Sequence, residues 1–243
     1  MKSPECPGTV LRLAIDENTV MNKLLKLKVD KAQGPDDIHP SVLRNCAQAA
    51  ALPLTIIYRK SLEEGILPKD WKMAVVVPIF KKGNKHEASN YRPVSLTSVP
   101  CKVLESIIRD AVATHLEQQN FYADCQHGFM KRRSTLTNLL VTLECWTSIL
   151  EEGSGLDVIY LDYKKAFDTV PHQKLLQKLK GLRLGDVLTK WIEQFLLGRQ
   201  MRVHVNGSFS SCIDVISGVP HGSVLGPLLF LIFVNDLSDC QVY

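Results

Sequence analysis

Three stretches of the chain carry residue types that could do chemistry together. The first runs Asp157-Val158-Ile159-Tyr160-Leu161-Asp162-Tyr163-Lys164-Lys165-Ala166-Phe167-Asp168. An apolar strand ending on Asp162 would put a carboxylate at a sheet edge, facing a cleft. Mg²⁺ takes one or two such oxygen ligands beside substrate phosphates. The competing reading is structural: Asp162 caps the next turn and Asp168 caps a helix starting near Pro171. On periodicity alone that is the commoner case. The second stretch is Ser217-Gly218-Val219-Pro220-His221-Gly222-Ser223-Val224-Leu225-Gly226-Pro227. Its glycines let backbone approach a ligand closely, and amides ahead of a helix can hold phosphate. No Gly-Lys-Ser/Thr follows, so this is not a Walker loop; a plain turn into a core helix is the alternative. His221 is its one titratable side chain. The third runs from Lys81-Lys82-Gly83-Asn84-Lys85 to Asn90-Tyr91-Arg92-Pro93-Val94-Ser95-Leu96. Cations on a loop beside a strand could grip a triphosphate, Arg92 with a bidentate fork, or they are ordinary solvated lysines. Lys131-Arg132-Arg133, ahead of a helix, reads equally as a phosphate contact or a surface charge run.

Other chemistries find no support. The seven histidines lie scattered, none pairs with a cysteine at a metal-binding spacing, and no Gly-x-Ser-x-Gly elbow occurs. The seven cysteines are at least 20 residues apart with no Cys-x-x-Cys pair. That count argues against a disulfide framework or zinc ribbon and for a reducing, intracellular setting. The longest apolar run, Val224 to Val234, contains Gly226 and Pro227 and falls short of the roughly 20 residues of a spanning helix. The N-terminus has no apolar signal core. Neither secretion nor membrane insertion is expected.

The elements that must position these residues follow from pattern. With 243 residues, 45% of them hydrophobic and 22% charged, the chain can fill a sizeable core. Its net charge of +4 is uneven: residues 1–150 carry 20 basic and 15 acidic groups, and residues 151–243 carry 9 and 10. A mildly basic front half suits a polyanionic partner without requiring one. Residues 1–19 read as a leader, loosest over the first ten. Apolar spacing predicts helices over 16–28 (capped by Asp16), 41–64, 98–119, 134–150, 171–182, 188–197 and 225–236. Strands are expected at Met73–Phe80, with Pro78 near an edge or bulge, and at Leu156–Leu161 ending on Asp162. Residues 81–92 read as a polar loop. Alternation over 201–215 around Asn206-Gly207 signals a hairpin. The class is α+β.

Six segments in order give these pieces a common meaning: Lys31-Ala32-Gln33-Gly34-Pro35-Asp36, Pro78-Ile79-Phe80-Lys81-Lys82-Gly83, Asn90-Tyr91-Arg92-Pro93-Val94-Ser95-Leu96, Gln126-His127-Gly128-Phe129, Lys165-Ala166-Phe167-Asp168 and Ser217-Gly218-Val219-Pro220. From about residue 20 onward the chain resembles the reverse transcriptase of LINE-type (non-LTR) retrotransposons, near the Jockey and chicken-repeat branches. The resemblance implies a right-hand polymerase: a leader over 1–19, fingers with early palm elements over 20–152, and a partial palm over 153–243, with the thumb absent. It implies RNA-directed DNA synthesis on a primer 3′-hydroxyl, with an RNA template, a DNA primer and deoxynucleoside triphosphates as partners and two Mg²⁺ ions in a complete enzyme.

By the same resemblance, Asp162 matches the first catalytic carboxylate, and the Tyr163 carbonyl would be a further metal ligand. Phe167 matches the aromatic that excludes a 2′-hydroxyl. Lys81, Lys82 and Arg92 match finger cations that clamp the triphosphate, and His221 and Gly222 lie in the loop set against the nascent base pair. Lys85, Lys131, Arg132 and Arg133 would contact nucleic acid. The family's Tyr/Phe-Ala-Asp-Asp hairpin, which bears the other catalytic aspartates, does not occur within these residues. The family also usually has Gln where His221 stands and Gly where Asp37 stands. The expectation is an incomplete, inactive copy with weak Mg²⁺ binding; the alternative is a non-catalytic nucleic-acid-binding or interaction protein derived from the fingers.

Overall fold

In the computed structural model the described residues are 10–240; the first nine residues of the expected leader lie outside them. The chain begins with α1 (Glu17–Leu25), whose Asp16 carboxylate accepts from the Thr19 amide at 2.8 Å, the cap expected from sequence. The helix expected over 41–64 is two helices, α2 (Pro40–Asn45) and α3 (Ala47–Glu64), meeting at Cys46. Gly65 ends α3 in the left-handed conformation, its amide donating to the Leu62 and Ser61 carbonyls. A single turn, α4 (Lys69–Lys72), leads into β1 (Met73–Phe80).

β1 pairs antiparallel with β2 (Tyr91–Leu96), from Val75 opposite Leu96 to Phe80 opposite Tyr91. β2 is not among the strands expected from sequence; its first two residues, Tyr91 and Arg92, fall in the expected loop. Pro93 hides it from pattern, and the structure accommodates Pro93 by setting it opposite Pro78, so neither missing N–H leaves a partner stranded. Beyond come α5 (Val99–Gln118), α6 (Thr135–Glu151), α7 (His172–Gly181) and α8 (Asp186–Leu196). β3 (Arg199–Val205) then lies parallel to β1, with Met73 opposite Gln200, and its other side pairs with β4 (Ser208–Phe209) and β5 (Ile213–Val215). Pro78 sits past the β1–β3 pairing, where β1 has only β2 beside it. The last long element is α9 (Gly226–Val234), followed by a 3₁₀ segment.

One hydrophobic core ties these elements together, drawing residues from both sides of position 152. At its centre α5 buries Val103, Leu104, Ile107, Ile108, Val112 and Leu116. Val20 and Leu24 of α1, Trp191 and Phe195 of α8, and Leu229 and Ile232 of α9 pack into the same cluster. Each such side chain removed from water contributes about 1.5–3 kcal/mol before conformational entropy is set against it. Two polar contacts fix the layers: the Tyr58 hydroxyl donates to the Pro100 carbonyl (2.8 Å), and the Trp191 indole donates to Ser61 Oγ (3.0 Å).

The expected strand Leu156–Leu161 does not form. The segment carries no regular structure and is open to solvent, with Ile159 83%, Tyr160 82% and Leu161 76% exposed. β-branched and aromatic residues favour a strand only where a neighbour exchanges hydrogen bonds with them. Among the described strands none runs alongside this segment. Asp162 therefore does not stand at a sheet edge, contrary to expectation. α6, which precedes it, is firmly capped by Ser134 and Thr137 yet buries none of its residues.

Candidate functional site

The glycine loop of residues 217–225 is held by three parts of the molecule, and it brings the candidate residues together. On one side it lies against the backbone of 166–172. The Gly218 amide donates to the Val170 carbonyl (2.8 Å), the Val219 amide to Phe167 (2.9 Å) and the Ser217 hydroxyl to Asp168 (2.9 Å). His172, buried at the start of α7, donates from Nε2 to the Gly218 carbonyl (2.7 Å). Gly218 has φ +88°, and a β-carbon there would lie 2.8 Å from the Asp168 backbone. Only glycine permits that approach.

His221 then reaches back across the same segment. Its Nε2 is 3.0 Å from Asp168 Oδ1, with both side chains partly exposed. Asp168 is thus neither a helix cap, since α7 begins after Pro171, nor a metal ligand by geometry; it is the partner of His221. Phe167 lies between the two elements. Its ring stacks on Phe230 of α9 (centroids 4.4 Å, 14°), meets Phe129 edge-on (5.8 Å) and lies 5.4 Å from the His221 ring. Packed from three directions, the Phe167 ring is held in place.

The loop's other face meets the β1–β2 hairpin. Gly222, at φ +85°, rests on β2: a β-carbon there would lie 2.3 Å from the Ser95 carbonyl oxygen. Arg92 is three residues along the same strand, about 10 Å away at roughly 3.3 Å per residue. Around it the hairpin tip is built by its own polar groups. The Tyr91 hydroxyl donates to the Lys85 carbonyl (2.9 Å), and the Asn90 amide donates to Asn84 O (2.9 Å) and Glu87 Oε2 (3.2 Å). Lys85 places its ammonium 5.7 Å over the Phe80 ring. Lys81, Lys82, Lys85 and Arg92 are exposed, and none of them enters an ion pair among the described residues. Four unpaired cations against the single carboxylate of Glu87 on one hairpin suit a polyanion.

The basic run before α6 divides. Arg133 turns its guanidinium inward, where Nη1 donates to the carbonyls of Asp124 (2.5 Å), Gln126 (2.7 Å) and Ala123 (3.5 Å) and so organises the turn carrying Gln126-His127-Gly128-Phe129. Lys131 faces Glu117 at 3.9 Å across solvent, a contact worth little. Arg132 is exposed at φ +61°.

Asp162 and Tyr163, the expected metal ligands, are both exposed on the irregular segment. Among the described residues no three His, Cys, Asp or Glu side chains come together as a cluster able to hold a metal ion. Mg²⁺ holds its waters tightly and needs placed oxygen ligands. One solvent-borne carboxylate is not such a site, so these residues do not fit a bound magnesium ion. Sequence pattern also missed Ser95, Phe129, Phe230 and the Asp168–His221 pair. Nothing in their local spacing marks partners separated by tens of residues, although the paired glycines at 218 and 222 did signal close backbone approach.

Comparison with known proteins identifies the family to which these segments belong. A family profile described as "Reverse transcriptase (RNA-dependent DNA polymerase)" matches residues 79–241, which includes the cationic hairpin, the Phe167 segment and the glycine loop. The RNA-directed DNA polymerase from mobile element jockey of Drosophila funebris is 34% identical over 215 residues, covering 88% of this chain and 23% of that protein. Its counterpart in Drosophila melanogaster is 32% identical over 225 residues, covering 92% of this chain and 24% of that protein. The chain thus spans about a quarter of the length of these relatives. The profile match takes in the glycine loop, the Phe167 segment and β2, and the chain belongs to the reverse transcriptase family, with its similarity to the RNA-directed DNA polymerases of non-LTR retrotransposons.

Proposed function

We propose that this chain supplies the nucleotide-selecting and template-holding part of an RNA-directed DNA polymerase, with residues 20–152 as fingers and early palm and 153–243 as partial palm. The observation that carries the proposal is the seat of Gly222 on the Ser95 carbonyl. It sets the loop of His221 against the strand of Arg92 although well over a hundred residues separate them. Lys81, Lys82 and Arg92 bind the triphosphate of an incoming deoxynucleotide by charge-assisted hydrogen bonds. The Phe167 ring, held by Phe230, closes the space a 2′-hydroxyl would need. Lys85 and Arg132 extend the cationic surface toward the phosphates of template and primer, inside the cell. Divalent metal chemistry belongs to the family, but the described residues assemble no site for it, and no step of this proposal runs through a metal ion.

Phosphate binding makes affinity fall with salt. Anisotropy of a labelled primer–template titrated with the chain from low to moderate salt should show steep weakening. Lys85→Ala and Arg132→Ala together should flatten the log–log slope by about 1–2, at roughly 0.7–0.9 for each phosphate no longer neutralised. A slope untouched by the double substitution would refute the placement of this cationic surface on nucleic acid. The solitary, exposed Asp162 favours a second reading, a nucleic-acid-binding protein without catalysis. Primer extension by the chain would exclude it.

A further inference from the structure

The face of α5 that packs into the core is apolar except at Glu105 and His115. Glu105 is 1% exposed there, among Cys101, Leu104 and Ile108. A carboxylate so far from water is strongly disfavoured unless it is hydrogen-bonded. Its partners are two backbone amides of the glycine loop: Oε2 accepts from Val224 N at 2.7 Å and from Leu225 N at 3.1 Å. These amides lie immediately before α9, whose N-cap, Leu225, has no side chain able to cap it. Unpaired N–H groups at a helix start carry partial positive charge and attract an anion. Glu105 fills that role from 119 residues away, and Ser223 assists from within the loop by accepting from the Gly226 amide at 2.9 Å.

The carboxylate also has a charged neighbour at the core's edge. Arg199 of β3 is 3% exposed and donates to the Phe195 carbonyl at 3.1 Å, close enough to the carboxylate to interact with it. The Cys101 thiol, one helical turn before Glu105, is pushed well above its ordinary pKa, first by burial and then by the carboxylate's charge. It stays a neutral donor. Glu105 therefore joins α5, β3 and the start of α9, and it touches none of the residues assigned to nucleotide or template.

We infer that Glu105 is a positioning residue for the nucleotide-facing loop: by anchoring the Val224 and Leu225 amides it keeps Gly222 on Ser95 and His221 beside Phe167. This rests on the proposed polymerase reading for what the loop faces, but not for how the loop is held.

The test compares the parent chain with Glu105→Leu, which fills the space without an acceptor, and Glu105→Gln, which keeps an acceptor oxygen without the charge. Amide hydrogen exchange reads the anchoring. Glu105→Leu should speed exchange over residues 217–226 by about ten- to hundred-fold, the worth of hydrogen bonds to a charged acceptor. Exchange in α1, α3 and the rest of α5 should be unchanged, and Glu105→Gln should recover most of the protection. Acceleration spread evenly over the core, or none in the loop, would overturn the assignment. The second readout is dATP titrated onto the chain loaded with a primer on an RNA template whose next base is uracil. Affinity should fall with Glu105→Leu and return with Glu105→Gln. A parent that binds dATP and a Glu105→Leu variant that binds it equally well would overturn the nucleotide role of Glu105 alone. A parent that binds no dATP would overturn the nucleotide role of the whole loop, and the polymerase reading with it.

Discussion

Replacing Gly222 by alanine tests the contact on which the functional reading stands. Two separable penalties follow from the structure. The first is conformational: at φ +85° an L-residue is strained by about 1–2 kcal/mol. The second is steric: the new β-carbon would lie 2.3 Å from the Ser95 carbonyl oxygen, about 1 Å inside ordinary contact. That oxygen belongs to β2, paired to β1 with Ser95 opposite Val76, so it cannot swing aside as a flexible side chain would. The loop must lift instead, and overlaps of this kind cost about 1–3 kcal/mol. The total is about 2–5 kcal/mol. Gly153→Ala supplies the control, because Gly153 has φ +76° but a β-carbon there meets nothing within 4 Å. It should lose only the conformational part, about 1–2 kcal/mol. Urea denaturation of parent and both variants, with midpoints compared at constant m, isolates the steric part as the difference between the two. Primer–template binding should weaken in Gly222→Ala and hold in Gly153→Ala. If the two variants lose equal stability and bind alike, the loop does not rest on β2 and the joined site dissolves.

Other expectations follow from the same geometry. Calorimetric titration with Mg²⁺ should give weak binding that Asp162→Ala scarcely alters, since that carboxylate stands alone in solvent; a tight site abolished with Asp162 would overturn this. Phe167→Ala removes the ring stacked on Phe230 and should destabilise the chain by about 2 kcal/mol, less than a fully buried Phe because Phe167 is half-buried. In a version extended with the hairpin and thumb of a relative, it should also admit ribonucleotides, and unchanged discrimination would remove the steric role. Asp110 on α5 pairs with Lys23 of α1 and with Arg109. Burial pushes its carboxyl up, but the hydrogen bonds and charges of these two cations outweigh that and hold it below the usual carboxylate range. A depressed pKa contributes stability above the unfolded value and loses it as pH falls through the folded one. Asp110→Asn should therefore cost about 0.5–1 kcal/mol at pH 7, the pair being half-exposed, and the gap should close as pH drops below about 4. A gap that persists in acid would point to packing instead.

The helices were legible because their signals are local. Asp16, Ser98 and Ser134 each cap the helix they precede, with the apolar spacing following directly. Asn206-Gly207 turned β3 into β4 as the pair of residues requires. The failures share a different cause. β2 contains Pro93, which argues against a strand until its partner is known to offer Pro78 opposite. Cys46 breaks a helix that periodicity carries straight through. In the segment around Ile159 the local preference for strand is strong, and the described residues provide no edge for it to join. Strand propensity is conditional on a neighbour, whereas helix propensity carries its hydrogen bonds within itself.

The same distinction governs the site. Residue type alone marked the cations of the hairpin and the glycines of the loop, and the structure places them on opposite sides of one contact. Residue type could not show that Arg133, between two exposed neighbours, spends its guanidinium on three carbonyls, nor that Asp168 answers His221. Those assignments depend on where the chain returns to itself. Glu105 is the extreme instance, an acidic residue on an apolar helical face that the fold uses from within. Its two amide partners lie in the very loop whose glycines are conspicuous in the sequence. A loop that must press its backbone on Ser95 and Asp168 at Gly222 and Gly218 has few side chains of its own to hold it there. The anchor has to come from elsewhere in the chain, and a carboxylate that can reach two adjacent amides at once is well suited to supply it.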